Sequence, residues 1–176
     1  MRFRAHETFF IRKGWLYKGM KNVVRDKTVF MGDKGNPMGI LGIGANMVKS
    51  LRYWLQAVGL TSEPTSGKKY QTLTRFGEII YENDRYIEEI GTLWFLHYKL
   101  ATNEPDATAW YYFFNEFNRN EFNRDDFVKQ ISTYIMLNGS EISDRSLEDD
   151  FNCIINTYVP RIKSNPGKAH PESNID

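Results

Sequence analysis

Four polar residues share one face of a predicted amphipathic helix that follows a glycine-rich turn. Lys49, Arg52, Tyr53 and Gln56 recur at helical spacing, and apolar residues occupy the opposite face. Two cations, a phenol and an amide in one row suit phosphate oxygens and base edges. This face is therefore a candidate surface for reading DNA. The alternative is a solvated face without a ligand, as on most amphipathic helices.

The flanking residues indicate where this helix begins and ends. Asn46 is the predicted N-cap, because its side chain can accept a hydrogen bond from a free N–H of the first turn. Gly59 is the predicted end, in the left-handed conformation that glycine tolerates. The preceding loop, residues 31–39, is rich in Gly, Asn and Pro, which is typical of a turn.

Two nucleotide-binding motifs in this stretch are incomplete. Met47 stands where a dinucleotide fingerprint needs its third glycine, and Val48 replaces the glycine before the Lys-Ser pair of a phosphate-binding loop. We therefore predict no cofactor. The sequence also shows no catalytic motif and no cluster of metal ligands.

The segment after the helix has the pattern of a β-hairpin. Turn-forming residues precede the strand-like run 70–73, and Gly67, Lys68 and Lys69 form the predicted tip. A helix followed by a basic hairpin is the order of a winged helix–turn–helix, in which the wing contacts the DNA backbone. Lys68 and Lys69 are therefore predicted phosphate contacts. An ordinary loop is the alternative.

The whole pattern predicts a mainly α fold with a small β-hairpin. We expect a winged helix–turn–helix-like basic part over residues 1–85 and a helical, aromatic-rich, acidic part over residues 86–160. Residues 161–176 are a predicted tail or linker, and such a chain can be a fragment of a longer protein. No apolar run reaches the length of a membrane span and no signal-peptide pattern opens the chain, so we expect a cytoplasmic protein without a membrane partner.

The charge is distributed unequally between the two parts. Residues 1–85 contain 15 Lys and Arg against 7 Asp and Glu, whereas residues 86–176 contain 8 against 15. A basic part is the electrostatic footprint of a polyanionic partner such as double-stranded DNA. Four cations on the first predicted helix would widen that surface: Arg12, Lys13, Lys18 and Lys21.

Other titratable residues are better explained by packing than by catalysis. We expect His6 to be a hydrogen-bonding residue, His97 to be a buried, hydrogen-bonded histidine and Cys153 to be a buried, inert thiol. Metal-dependent cleavage of DNA would need converging carboxylates. Three local groups are the candidates, although each is more typical of a solvated helix face: Glu78 with Glu82 and Asp84, Asp125 with Asp126, and Glu148 with Asp149 and Asp150.

Several spaced motifs resemble a bacterial family, the domain-of-unknown-function family numbered 4007. They are His6-Glu7-Thr8-Phe9, Gly14-Trp15-Leu16-x-Lys18-Gly19 and the runs 41–48, 91–98 and 110–117. The resemblance implies a setting of DNA phosphorothioation and antiphage defence, and one branch is similar to the DNA-nicking component of the Ssp system. It supplies no catalytic residue that can be carried over to this sequence.

Three functions are consistent with these patterns. The first is a DNA-binding domain of a defence or DNA-modification protein. The second is a DNA-nicking endonuclease component. The third is a module that docks a protein partner encoded in the same defence operon.

Overall fold

The computed structural model of the chain describes residues 1–159 and confirms the predicted fold class. This part is mainly α-helical and contains one small antiparallel sheet. In chain order the elements are α1 Lys13–Arg25, α2 Pro37–Leu41, α3 Ala45–Ala57, β1 Thr61–Ser62, β2 Thr72–Leu73, α4 Arg75–Asn83, α5 Ile90–Ala101, α6 Thr108–Asn115, α7 Arg124–Leu137 and α8 Asp144–Tyr158.

A tight turn connects α2 to α3. Helix α2 ends at Gly42, whose φ of 61° lies in the left-handed region that glycine adopts without strain. The predicted cap of α3 is wrong by two residues, because Gly44 is the N-cap and Asn46 lies inside the first turn. At the other end, Gly59 has a φ of 74°, as predicted for a helix terminus.

The paired strands of the hairpin are shorter than the sequence predicts. Thr61 pairs with Leu73 and Ser62 with Thr72, so two residues on each side form the ladder. The backbone N–H of Gln71 instead donates to the Lys27 carbonyl, 2.9 Å away. The connection between the strands is therefore held partly by the segment after α1.

The amino-terminal segment packs into the core over α3. The indole N–H of Trp54 donates to the Phe9 carbonyl at 2.8 Å. His6 is fully buried, with its ring 6.1 Å from that of Trp54 and 5.7 Å from that of Trp110. This segment therefore covers part of the helix that the sequence presents as amphipathic.

The later helices differ in how they begin. Asn123 caps α7, and its side chain forms a reciprocal capping box with Asp126. Helix α5 begins at Ile90 and continues through Gly91 and Thr92 without a break. Helix α8 begins at Asp144 after the N-cap Ser143, whose side chain makes no capping hydrogen bond.

The buried core draws on both predicted parts of the chain. Trp54 and Leu55 of α3 belong to the same hydrophobic cluster as Trp110 of α6 and Ile131 of α7. The division at residue 85 stays a prediction. The predicted tail, 161–176, lies outside the described residues.

Candidate functional site

The four polar residues of α3 line one cleft, together with the amino-terminal segment. The cleft has a volume of about 380 Å³, and Arg2, Ala5, Glu7 and Glu63 complete its walls. The prediction that Lys49, Arg52, Tyr53 and Gln56 lie together is therefore correct. Their individual environments differ strongly.

Tyr53 forms the floor of the cleft and not an exposed edge. Its side chain is only 3% exposed, so the prediction that it faces a DNA groove is wrong. The ring packs 5.0 Å from that of Trp54, and the Arg2 guanidinium lies 5.1 Å from its centroid. Burial raises the pKa of the Tyr53 hydroxyl, so the phenol stays protonated.

Arg52 is held in an internal ion pair. Its Nε and Nη2 donate to the two carboxylate oxygens of Glu63, at 2.6 and 2.8 Å. Such a bidentate pair fixes the guanidinium in one orientation. Hydrogen bonding to Glu63 raises the pKa of Arg52 against the effect of burial. Its predicted role as a groove-facing cation stays a prediction, for a side chain that is one-third exposed and already paired.

Two amides complete the Glu63 cluster. The Nε2 atoms of Gln56 and Gln71 each lie 3.1 Å from Glu63 Oε1. Burial favours the neutral acid, but the hydrogen bonds and charge of Arg52 outweigh it and hold the pKa of Glu63 below its ordinary value. Gln56 is thus hydrogen-bonded within the protein, and its predicted place on a groove-facing surface stays a prediction.

Lys49 is the exposed cation of this helix face. Its side chain is 65% exposed, and Nζ lies 3.9 Å from Glu7 Oε1. An ion pair at this distance and exposure constrains the side chain little. Lys49 is available to an anion that enters the cleft.

The two hairpin lysines are exposed but not equivalent. Lys68 forms an ion pair with Asp33 across the loop that precedes α2. The Lys69 ammonium donates to the carbonyls of Pro64 and Thr65, at 2.9 and 2.8 Å. Lys69 therefore stabilises the tip conformation while it carries a solvent-exposed charge.

Two of the four predicted cations in and just before α1 lie against aromatic rings. The Arg12 guanidinium is exposed and stands 5.0 Å from the Phe10 ring and 4.9 Å from the Trp15 ring. The Lys21 ammonium lies 5.7 Å from the Tyr17 ring, and Lys18 is half-buried. Lys13 begins the helix, and its side chain is outside the described part.

A buried hydrogen-bonded pair, His6 with Asp150, lies outside this cleft, and sequence reasoning did not connect its two members. His6 Nε2 lies 2.6 Å from Asp150 Oδ1, and the Arg4 amide donates to both carboxylate oxygens. The Thr8 amide donates to His6 Nδ1, so Nε2 carries the proton directed at Asp150. Burial raises the pKa of Asp150, and the bonds from His6 and Arg4 oppose it. Both side chains are shielded from solvent. The hydrogen bonds to Asp150 connect α8 to the amino-terminal segment.

The predicted acidic groups do not converge. Among residues 1–159 no three His, Cys, Asp or Glu side chains are arranged to hold a metal ion. Asp126 belongs to the α7 capping box, and Glu148 lies 3.8 Å from Arg124.

Cys153 is buried, and burial raises the pKa of its thiol, as expected for an inert cysteine.

His97 is hydrogen-bonded, as predicted, but only partly buried. Its Nδ1 lies 2.9 Å from the Tyr158 hydroxyl, at the edge of an apolar groove between α5 and α8. Burial lowers the pKa of His97, which favours the neutral ring.

Within residues 1–159, the helices lack the combination of length and apolar character that a bilayer crossing requires.

The family predicted from the motifs is confirmed by comparison with known proteins. The sequence profile of the family described as "Protein of unknown function (DUF4007)" matches residues 3–176. A comparison with curated proteins finds no match.

Two solved structures resemble this fold over most of the chain. A magnesium ion-bound SspB crystal structure superposes with a TM-score of 0.80 and 32% sequence identity, over 90% of this chain and 49% of that one. A second SspB crystal structure gives 0.81 and 30%, over 90% and 50%. The chain thus spans about half the length of these SspB chains.

Proposed function

The chain belongs to this family of unknown function, and from that premise we propose that it is the DNA-binding part of a bacterial DNA-modification or antiphage defence protein. The carrying observation is the set of exposed cations on α3 and on the hairpin loop, within the positively charged half of the chain. The family resemblance and the SspB neighbours support a phosphorothioation-associated setting.

The element order supports a winged-helix mode of binding. Helix α2, a three-residue turn, α3 and the hairpin follow one another as in a winged helix–turn–helix. In this proposal α3 approaches the duplex with Lys49 foremost, and the hairpin loop contacts the backbone with Lys68 and Lys69. Arg12, Lys18 and Lys21 add positive potential from α1.

Arg52 and Gln56 have an indirect role in this proposal. Because both bind Glu63, they fix the hairpin strand against α3 and so set the distance between Lys49 and the hairpin loop. Tyr53 supports the floor of the cleft. These three residues position the DNA-contacting lysines instead of contacting DNA themselves.

The test is fluorescence anisotropy of a labelled double-stranded oligonucleotide of about 20 base pairs over a salt series. We expect Lys49→Ala to reduce the slope of log affinity against log salt by about one unit, because one phosphate contact is lost. Lys68→Ala/Lys69→Ala is expected to remove about two units.

Lys129→Ala is the matched control. Lys129 is an exposed lysine on α7, in the acidic part of the chain, so its removal should leave the salt slope unchanged. The proposal fails if the wild-type protein does not bind at low salt, or if the control changes the slope as much as Lys49→Ala does.

A DNA-nicking component is the second candidate, and it is favoured by the resemblance to the magnesium ion-bound SspB structure. Relaxation of supercoiled plasmid that requires Mg²⁺ would support it. Binding without relaxation would leave the DNA-binding proposal alone. A protein partner from the same defence system is compatible with either function.

A further inference from the structure

Arg2 is a cation of the cleft beside α3 and lies outside the set of residues that the sequence predicts to contact DNA. Its side chain lines the cleft together with Lys49, but it comes from the amino-terminal segment and not from the helix. The guanidinium lies 5.1 Å from the centroid of the Tyr53 ring, an arrangement that holds a cation against an aromatic face. Two positively charged side chains from different segments therefore reach the same cleft.

Both of these cations have long, exposed ion pairs. Arg2 Nη1 lies 3.7 Å from Asp106 Oδ1, and the two side chains are 44% and 53% exposed. Lys49 is 65% exposed, and its Nζ lies 3.9 Å from Glu7 Oε1. Exposed ion pairs of this length contribute little free energy, so an anion that enters the cleft can replace the carboxylates.

The charges that line the cleft leave a positive excess. Arg52 and Glu63 neutralise each other in their bidentate pair. Among the other lining residues, Arg2 and Lys49 are positive and Glu7 is negative. The volume of about 380 Å³ lies within the range of sites for small ligands. A phosphate group suits these donors, because a guanidinium can donate to two of its oxygens and an ammonium to a third.

The backbone that carries Arg2 is fixed before any ligand enters. The Arg2 amide donates to Thr108 Oγ1 at 2.9 Å, and Thr108 is fully buried. Arg4 and Glu7 have φ angles of 52° and 50°, which non-glycine residues keep only where the surrounding structure holds them. The Asp150 carboxylate provides such a restraint by accepting from the Arg4 amide. A fixed backbone lowers the entropic cost of ordering Arg2 on a ligand.

We propose that this cleft is a subsite for one phosphate group, held between the Arg2 guanidinium and the Lys49 ammonium. The inference rests on the proposed DNA binding for the source of that phosphate, which is the backbone of the duplex. It makes the amino-terminal segment part of the DNA-contacting surface. Asp106 and Glu7 compete with the phosphate for the two cations.

A double-mutant cycle in the anisotropy assay tests whether the two cations share one phosphate. Arg2→Gln should lower the affinity for the labelled duplex about tenfold, the effect of losing one charge-assisted contact. Arg2→Gln and Lys49→Ala, alone or combined, should each reduce the salt slope by about one unit, because the same phosphate contact is lost in every case. Cations on two separate phosphates would instead give a loss of about two units in the double variant.

Arg124→Gln is the matched control for Arg2→Gln. Arg124 is 47% exposed and lies 3.7 Å from Asp125 on α7, so it has a similar environment in the acidic part of the chain. Its removal should leave the salt slope unchanged. Circular dichroism should show that Arg2→Gln stays folded, because the Arg2 side chain is exposed and the amide bond to Thr108 is retained.

Removal of a competing carboxylate should change the affinity in the opposite direction. Asp106→Asn should raise the affinity for the duplex several-fold at low salt, because Arg2 is released from its ion pair. Asp125→Asn removes a carboxylate from the Arg124 pair and so measures the general effect of one fewer negative charge. The excess effect of Asp106→Asn should disappear in the Arg2→Gln background.

Inorganic phosphate tests the subsite without DNA. In a titration at constant ionic strength, we expect the guanidinium NMR signal of Arg2 to shift with added phosphate, and Lys49→Ala to reduce that shift. If the wild-type protein does not bind the duplex, this shift would still support a subsite for free phosphate while DNA binding is refuted.

Duplex binding that Arg2→Gln leaves unchanged would overturn the subsite, and so would a loss of about two slope units in the double variant. In both cases the DNA-binding proposal would stand. Absence of both duplex binding and a phosphate-dependent shift of the Arg2 signal would overturn the two proposals together.

Discussion

At the scale of single residues, internal partners decide which polar groups are available to a ligand. Arg52 donates hydrogen bonds to both carboxylate oxygens of Glu63. Lys49, on the same helix face, forms a single ion pair, 3.9 Å from Glu7. A bidentate, partly shielded pair persists because its hydrogen bonds are charge-assisted. Of the two cations on this helix face, Lys49 is therefore the more open to solvent, a difference that the residue types alone do not indicate.

The Glu63 cluster makes the stability of the protein dependent on pH. Because the folded-state pKa of Glu63 is lowered from 4.5, its stabilising effect is complete above that pH and is lost as the pH falls through the folded-state pKa. Glu63→Gln should cost about 1–2 kcal/mol at pH 7, where it removes hydrogen bonds to a charged group. The difference from wild type should shrink as the pH is lowered below 4.5.

Urea denaturation at several pH values measures this effect. Glu78→Gln is the control, because Glu78 forms an exposed ion pair with Arg75 and should change the free energy of unfolding by less than about 1 kcal/mol. A Glu63→Gln penalty that is constant from pH 7 to pH 3 would contradict the assigned role of the carboxylate.

At the scale of elements, close backbone approach fixes the position of α4 beside the hairpin. Gly77 lies in the first turn of α4, where the Thr74 hydroxyl caps its amide. A Cβ at Gly77 would lie 2.9 Å from the carbonyl carbon of Leu60 and would overlap its oxygen. The obstacle is backbone just before β1, so it cannot move aside as a flexible side chain would.

Gly77→Ala should therefore destabilise the protein by about 3 kcal/mol, because α4 must shift away from the hairpin. Gly14→Ala is the matched helical control, since a Cβ there has no neighbour within 4 Å. That control should be neutral or stabilising by up to about 1 kcal/mol. Thermal denaturation of both variants provides the comparison, and equal effects would refute the steric argument.

At the scale of the whole molecule, contacts between residues far apart in the sequence hold the basic part and the acidic part together. The Arg2 amide donates to Thr108 Oγ1 at 2.9 Å, and His6 pairs with Asp150 of α8. Trp54 and Trp110 pack edge to face with their ring centroids 5.2 Å apart. A shared core of this kind favours a single cooperative unit.

We expect residues 1–159 to unfold in one transition. Cys153 is the one cysteine of the chain and is buried in α8, so its reaction with a thiol reagent reports unfolding of the acidic part. In a urea titration this signal should coincide with loss of helical circular dichroism. Two separated transitions would instead support independent domains at residues 1–85 and 86–160.

The sequence by itself determined the features that depend on neighbouring residues. Helical periodicity predicted α3 and the polar row from Lys49 to Gln56, and Gly59 was predicted correctly as a left-handed residue at the helix end. These signals are local because a cap or an apolar stripe involves residues within a few positions of one another.

Only the tertiary structure decided which of those residues are free. Whether Tyr53 is exposed depends on the segment that folds over it, and Asp150 meets His6 across 144 positions. No periodicity encodes such pairings, because burial and charge compensation arise when distant segments pack together. The four polar residues of α3 therefore line one cleft, as their spacing predicts, while packing determines which of their side chains are open to solvent.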